Sequence, residues 1–145
     1  MSDTVINEMV HDCMISRTRL IARVLSSVYD DVLRPYDISA AQFALLVAIF
    51  NLKSASRAQI GRFTHQDRST LTRNIKLLLE GGWIAESASD DGGRRRPVAL
   101  TGSGTQLLHE VHPAWRAAQQ QARRMLGEGG VAAVMDVGNE LFYGK

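Results

Sequence analysis

Apolar residues recur at intervals of three and four from residue 4 to residue 34, which is the spacing of one face of an α-helix. This pattern predicts a single helix, about 45 Å long at 1.5 Å per residue. Pro35 ends it, because proline cannot continue the backbone hydrogen bonding. A helix of that length exceeds the needs of one compact domain, so we expect part of its apolar face to contact another chain.

Short polar motifs mark the starts of three further helices. The Ser-x-x-Gln motifs at 39–42 and 56–59 are capping boxes, in which each side chain satisfies the backbone N–H of the other residue. Asp67 is a favourable N-cap for the segment RSTLTRNIKLLLE, and Gly81 and Gly82 end that helix. Two short helices joined by a tight link predict a helix-turn-helix. The apolar stripe of its second helix consists of Leu71, Ile75 and Leu78.

The pattern changes between residues 83 and 101. Two short apolar segments, 83–86 and 97–101, flank the polar sequence SASDDGGRRR, and this arrangement predicts a β-hairpin. A hairpin that follows a helix-turn-helix is a wing. Helical spacing then returns from Thr101 to Leu126, with a kink expected at Pro113. We expect Gly127 to close that helix, Gly129-Gly130 to turn the chain, and residues 131–142 to form a last helix.

The composition excludes several classes of protein. The chain has 145 residues, of which 45% are hydrophobic and 22% charged, as in one globular domain. Its apolar runs are shorter than the roughly 20 residues that cross a bilayer, and its N-terminus lacks the pattern of a secretory signal. We therefore expect a cytoplasmic protein with no membrane partner and a mainly α (α+β) fold.

Enzyme chemistry has no support in the sequence. It contains no phosphate-binding glycine loop, no nucleophile motif and no paired carboxylates in a helical context, so we expect no catalytic residues and no cofactor. His109 and His112 lie one helical turn apart, but two histidines without a third ligand are poor evidence for a metal, and we predict none.

Charge is concentrated in the middle of the chain. Residues 53–101 hold nine basic and five acidic residues, whereas the rest of the chain holds eight basic and ten acidic ones. A basic module between slightly acidic helices favours a nucleic-acid-binding unit carried on a dimerisation frame.

At this point the chain resembles the MarR family of winged-helix regulators. The resemblance rests on ISAAQFALL, on DRSTLTRNIKLLLEGGWI and on RRRPVALTGSG, in that order. It implies a single domain over residues 1–145, with a winged helix-turn-helix lobe at 36–101 and dimerisation helices at 1–35 and 102–145. It also implies a homodimer that binds a palindromic double-stranded DNA operator, represses transcription, and releases DNA when a small aromatic or anionic effector binds.

The resemblance assigns DNA contacts to the recognition helix and the wing. These residues are Arg68, Ser69, Thr70, Thr72, Arg73 and Lys76 on the helix, and Arg94, Arg95 and Arg96 in the wing. Arg at the start of the helix suits guanine in the major groove, and a wing arginine suits the minor groove.

The sequence departs from the family pattern at two places. The link before the recognition helix is Thr64-His65-Gln66 instead of an apolar, a small and an apolar residue, which offers Gln66 as an additional DNA contact. In the wing, Asp91 lies three residues before Arg94 instead of two.

Two further groups of residues are candidate sensors. In the family, effectors bind between the dimerisation helices and the lobe, where an aromatic ring and several arginines could hold an aromatic carboxylate. The candidates here are Arg17, Arg19, Arg23, Trp115 and Arg116. Cys13 could act as a redox sensor, although a small buried hydrophobic residue on the helix stripe is the interpretation we favour. Two alternatives to the ligand-responsive repressor therefore remain: a thiol-based regulator, and a winged-helix adaptor that binds no DNA.

Overall fold

The computed structural model describes residues 3–88 and 96–144, which form a mainly helical fold with a small antiparallel sheet. The elements within these ranges, in chain order, are α1 Thr4–Asp12, α2 Met14–Leu33, α3 Ala40–Leu52, α4 Arg57–Thr64, α5 Arg68–Glu80, β1 Ile84–Glu86, β2 Val98–Leu100 and α6 Gly102–Tyr143. A 3-10 turn, Arg34–Tyr36, carries Pro35 and connects α2 to α3. The predicted fold class, a mainly α winged helix-turn-helix, is confirmed.

The prediction of one continuous N-terminal helix is wrong. The helix breaks at Cys13, whose backbone is extended (φ −72°, ψ 113°). The Arg17 guanidinium donates to the carbonyl oxygens of Val10 (3.2 Å) and Cys13 (3.1 Å), and so supplies a donor to Val10, one of the last carbonyls of α1. Apolar spacing could not show the break, because the stripe keeps the same period on both sides of it.

The predicted capping motifs are confirmed. Both capping boxes form with both of their hydrogen bonds, at Ser39 with Gln42 and at Ser56 with Gln59. At the end of α5, Gly82 takes a left-handed conformation (φ 74°), and Trp83 N–H bonds to the Leu78 carbonyl across the end of the helix. This is the Schellman arrangement, and it turns the chain directly into β1.

The core of the lobe lies where α3, α4, α5 and the sheet meet. Its most completely buried side chains within the described residues are Leu33, Leu45, Leu46, Ile49, Ile60, Ile75, Leu78, Val98 and Val111. The strands pair antiparallel, with Ala85 opposite Ala99. Ala55 adds a bridge to Val98 from the loop before α4, with backbone bonds of 3.1 and 2.8 Å. The sheet thus ties the wing to the start of α4.

The last helix, α6, starts at the sheet and runs back along α2. The Thr101 hydroxyl caps it by accepting from Gly104 N–H (3.0 Å), and Tyr29 donates to Gln119 across the α2–α6 contact. Backbone angles stay helical through Pro113, and the break lies at Gly127 (φ 71°, ψ 170°), where the sequence predicted an end. The turn predicted at Gly129-Gly130 is wrong, because both residues lie inside the helix that resumes after the break.

Within residues 3–88 and 96–144, no single helix is long and apolar enough to cross a membrane. One bent pair, residues 4–36 with Ala40–Leu52, meets the length and composition requirements only when its two parts are taken together.

Candidate nucleic-acid interface

Helix α5 has one buried face and one solvent-exposed polar face. Leu71, Ile75 and Leu78 are buried in the core. The exposed side chains on the opposite side are Arg68, Ser69, Thr72, Arg73 and Lys76. The three anchors lie at positions i, i+4 and i+7, so packing of the stripe directs the polar residues outward. Five of the six predicted recognition-helix contacts are therefore exposed, and Thr70 is half-buried.

The cations on this face differ in their pairing. Lys76 lies 4.0 Å from Glu80 one turn away, and both side chains are largely exposed. Neither Arg68 nor Arg73 has an ion pair with any residue in the described ranges. A guanidinium without an acidic partner keeps all five N–H donors for an external acceptor. The two arginines are thus the cations on α5 best prepared to bind an anionic ligand.

The first turn of α5 is ordered by Asp67. Its Oδ2 accepts from the Thr70 backbone N–H (3.1 Å) and from the Ser69 hydroxyl (2.6 Å). These hydrogen bonds hold the pKa of the Asp67 carboxyl well below its usual range, and the bond from Ser69 has the largest effect. The Ser69 hydroxyl donates its proton inside the protein, which leaves its oxygen as an acceptor.

Gln66 lies in the link between α4 and α5 and is half-buried, not exposed. Its Oε1 is buried and has no hydrogen-bond partner among the described residues. A buried amide oxygen without a donor costs free energy. The Gln66 side chain is thus partly withdrawn from the surface, in contrast to the exposed arginines.

The base of the wing carries an ion-pair cluster that the sequence did not reveal. Glu86 at the end of β1 pairs with Arg57 in the first turn of α4, and with Arg96 at 3.8 Å. The hydrogen bond from Arg57 lowers the pKa of Glu86. The complementary charges were visible in the sequence, but nothing local indicated that residues 29 positions apart would meet. Arg94, Arg95 and Asp91 lie outside the described residues.

A cavity of about 470 Å³ lies between α2, α3 and α6. Trp115, one of the predicted effector residues, lines it together with Tyr29 and Phe43. The other predicted effector residues, Arg17, Arg19, Arg23 and Arg116, are not among the described residues that line it. Asp30 is the charged side chain in that lining, and its carboxylate accepts from Ala40 N–H (2.7 Å).

Cys13 is half-buried at the break between α1 and α2. A hydrogen bond from Ser16 lowers its pKa, and the Arg17 charge adds a smaller effect in the same direction. His112 stacks on Trp115, with ring centroids 5.6 Å apart. Within the described ranges, no three His, Cys, Asp or Glu side chains are grouped as metal ligands would be.

Two capped helices, α4 and α5, are joined by a tight turn. The outer face of α5 is cationic, and the hairpin is braced against α4. These features define a winged helix-turn-helix protein. Residues 36–95 match the model of the MarR family. This is the family that the sequence motifs resemble.

Relatives and solved structures of transcriptional regulators are similar to the chain. The HTH-type transcriptional regulator Hpr of Lysinibacillus sphaericus is 32% identical over 80 residues, which is 55% of this chain and 43% of Hpr. The transcriptional regulator MOSR of Mycobacterium tuberculosis, solved in complex with DNA, is 28% identical with a TM-score of 0.74, covering 88% of this chain and 95% of MOSR. A mutant MarR of Escherichia coli, complexed with operator DNA, has a TM-score of 0.78 at 21% identity, covering 90% of this chain and 94% of that chain. The chain spans less than half the length of Hpr.

Proposed function

We propose that this protein is a sequence-specific, double-stranded DNA-binding transcriptional regulator that acts as a homodimer. The observation that supports this most strongly is the outer face of α5, where Arg68 and Arg73 are exposed and have no acidic partner within the described residues. The structures of MOSR and of the mutant MarR that hold DNA have the same fold.

In this proposal the N-terminal half of α5 enters the major groove. Arg68 and Arg73 bind base edges, and each bidentate arginine–guanine pair contributes about 1–3 kcal/mol of discrimination against the wrong base. Thr72 and Lys76 flank them. Ser69 and Thr70 contact phosphate at the helix N-terminus, and the Ser69 hydroxyl turns its proton from Asp67 to the phosphate when DNA binds. Gln66 supports the turn beneath them, and its unpartnered oxygen leaves it able to reorient toward DNA. Arg94 and Arg95 of the wing take the adjacent minor groove, and Arg96, which lies 3.8 Å from Glu86, stays at the base of the wing.

The terminal helices form the dimerisation frame, and the lobe at 36–101 forms the DNA-binding unit. Helix α1 exposes Val5, Ile6, Met9 and Val10, each at least 60% accessible, and the end of α6 exposes Val134, Met135, Val137 and Leu141. Apolar faces of this extent mark protein-protein contacts. A second copy of the chain covers them, and twofold symmetry then places two α5 helices on half-sites about 34 Å apart on a palindromic operator.

The cavity beside Trp115 is the effector site in this proposal. Its volume of about 470 Å³ and its aromatic lining suit a small aromatic molecule. Because it lies between α2, α6 and the lobe, an occupant would alter the angle between frame and lobe, and repression would end with DNA release. We place this activity in the cytoplasm, where the DNA of a bacterial cell lies, and assign no catalytic step to the chain.

The experiment is a gel shift with fragments from the region upstream of the protein's own gene, at several salt concentrations. We expect specific binding that weakens steeply with salt, because phosphate contacts release counterions. Absent or salt-insensitive binding would favour an adaptor without DNA affinity. Arg124→Ala, which replaces an exposed arginine on α6, is the matched control and should bind as the wild type does.

A further inference from the structure

The end of α6 contacts the helix-turn-helix of its own chain. The Phe142 ring stacks on Phe63 of α4, with centroids 4.9 Å apart and planes at 25°, and Tyr143 lies at 6.0 Å from the same ring. Nε2 of His65 donates to the Leu141 carbonyl oxygen at 3.2 Å. We call Leu141, Phe142 and Tyr143 the C-terminal brace.

The brace contacts the turn at its most constrained residue. His65 has a left-handed backbone (φ 54°), which is uncommon for residues other than glycine and asparagine. This residue ends α4 and begins the link to α5. The Leu141 carbonyl lies in the last turn of α6, where no later N–H of the helix bonds to it. His65 therefore satisfies an acceptor that would otherwise need water. One hydrogen bond therefore serves both a strained turn and a helix end.

The break at Gly127 makes this contact possible. Its positive φ (71°) redirects α6, and a side chain at that position would be strained. Before the break, Gln119 accepts from Tyr29 of α2, whereas after it Phe142 stacks on Phe63 of α4. The same helix thus joins the proposed dimerisation frame to the turn that sets the start of α5.

We propose that the C-terminal brace holds the α4–α5 turn in the geometry that presents α5 to DNA. Phe142 and Tyr143 act as positioning residues for DNA binding and touch no DNA themselves. This proposal rests on the proposed DNA-binding function. Its effect on affinity cannot exceed the free energy of the brace contacts, since these only shift the population of the competent turn.

The test compares the Phe142→Ala/Tyr143→Ala double variant with wild type in the full chain. We expect faster amide hydrogen exchange at residues 64–70 without DNA, and operator affinity reduced about two- to tenfold, the range that an aromatic pair supplies. The slope of log Kd against log salt should stay at the wild-type value, because no phosphate contact is removed. Phe142→Tyr, which keeps an aromatic ring, should match wild type in both readouts, and Asn139→Ala, an exposed polar residue of the same segment, should change neither.

The outcomes separate the two proposals. Unchanged exchange at residues 64–70 in the double variant overturns the brace, whether or not the protein binds DNA. A reduced salt slope also overturns it as a positioning device, since the aromatic residues would then assist phosphate contact. Wild-type protein that binds no duplex refutes the DNA-binding function, while the exchange data still decide whether the brace orders the turn.

Discussion

Arg57 and Glu86 form an ion pair that joins the first turn of α4 to the strand leading into the wing. The glutamate also lies 3.8 Å from Arg96 on the returning side of the hairpin. Glu86 is the more enclosed partner, with 26% of its side chain exposed against 41% for Arg57. The Glu86 carboxylate thus links the start of α4 to both sides of the hairpin. In the proposed DNA-binding mode these segments must keep a fixed relative position, because α5 and the wing enter adjacent grooves.

Glu86→Gln should lower stability at neutral pH by up to about 1 kcal/mol, the range for partly exposed ion pairs. The pKa of Glu86 is lowered by its hydrogen bond from Arg57, so the stabilisation is fully present above the ordinary glutamate pKa. It is lost as pH falls through the folded-state pKa. Urea unfolding of both proteins from pH 7 to about pH 3.5, below the ordinary glutamate pKa, checks this. If the difference in unfolding free energy between the two proteins grows as the pH falls, the ion-pair assignment is contradicted.

Asp67→Ala should destabilise the start of α5, because the carboxylate bonds both Thr70 N–H and the Ser69 hydroxyl. Asp67→Asn keeps a capping oxygen and should retain most of the stability. The pKa of Asp67 lies well below its usual range, so its contribution holds above the ordinary aspartate pKa and falls away only in stronger acid. At pH 7 the melting temperatures of wild type and Asp67→Asn should both exceed that of Asp67→Ala. If Asp67→Ala melts at the wild-type temperature, Asp67 does not stabilise the helix as a cap.

Gly104→Ala should destabilise the protein by about 1–3 kcal/mol, the usual cost of overpacking. A Cβ at Gly104 would overlap the carbonyl group of Trp83, which is backbone and cannot rotate away. Gly102→Ala, two residues earlier in the same helical turn, meets nothing within 4 Å. It should be neutral or stabilising, because alanine favours helix over glycine. Denaturant midpoints of the two variants measure the difference, and equal midpoints would show that α6 does not start against Trp83.

Arg73→Ala should weaken binding to the specific operator by about tenfold or more while leaving the oligomeric state unchanged. Arg73 is exposed on α5 and has no acidic partner among the described residues, so its loss removes an external contact without disturbing the core. Binding isotherms on specific and scrambled duplexes, together with sedimentation, provide the measurement. If the variant loses its oligomeric state instead, the residue is structural and the α5 interface is wrongly assigned.

Local features of this fold were predictable because their hydrogen bonds span three or four residues. Ser39 with Gln42, Ser56 with Gln59 and the Asp67 cap each lie within one helical turn, so residue type and spacing decide them. The apolar stripe of α5 likewise determined which of its side chains would face outward. These same signals identified the exposed arginines of the candidate interface.

Features that join distant parts of the chain were not predictable. Cys13 interrupts an unbroken apolar stripe, and the Gln66 side chain is half-buried with its amide oxygen unpartnered among the described residues. The arginines expected around the effector cavity, among them Arg17, are not in its lining as described, because the packing of α2 against α3 and α6 decides which of their side chains face the cavity.

The sequence by itself determined the helix starts, the hairpin and the buried side of α5, since each depends on neighbours along the chain. Only the tertiary structure brought Glu86 to Arg57 and Phe142 to Phe63, pairs that lie 29 and 79 positions apart. Such contacts depend on packing angles between whole elements. Those angles follow from the fit of many side chains together and leave no short pattern in the sequence.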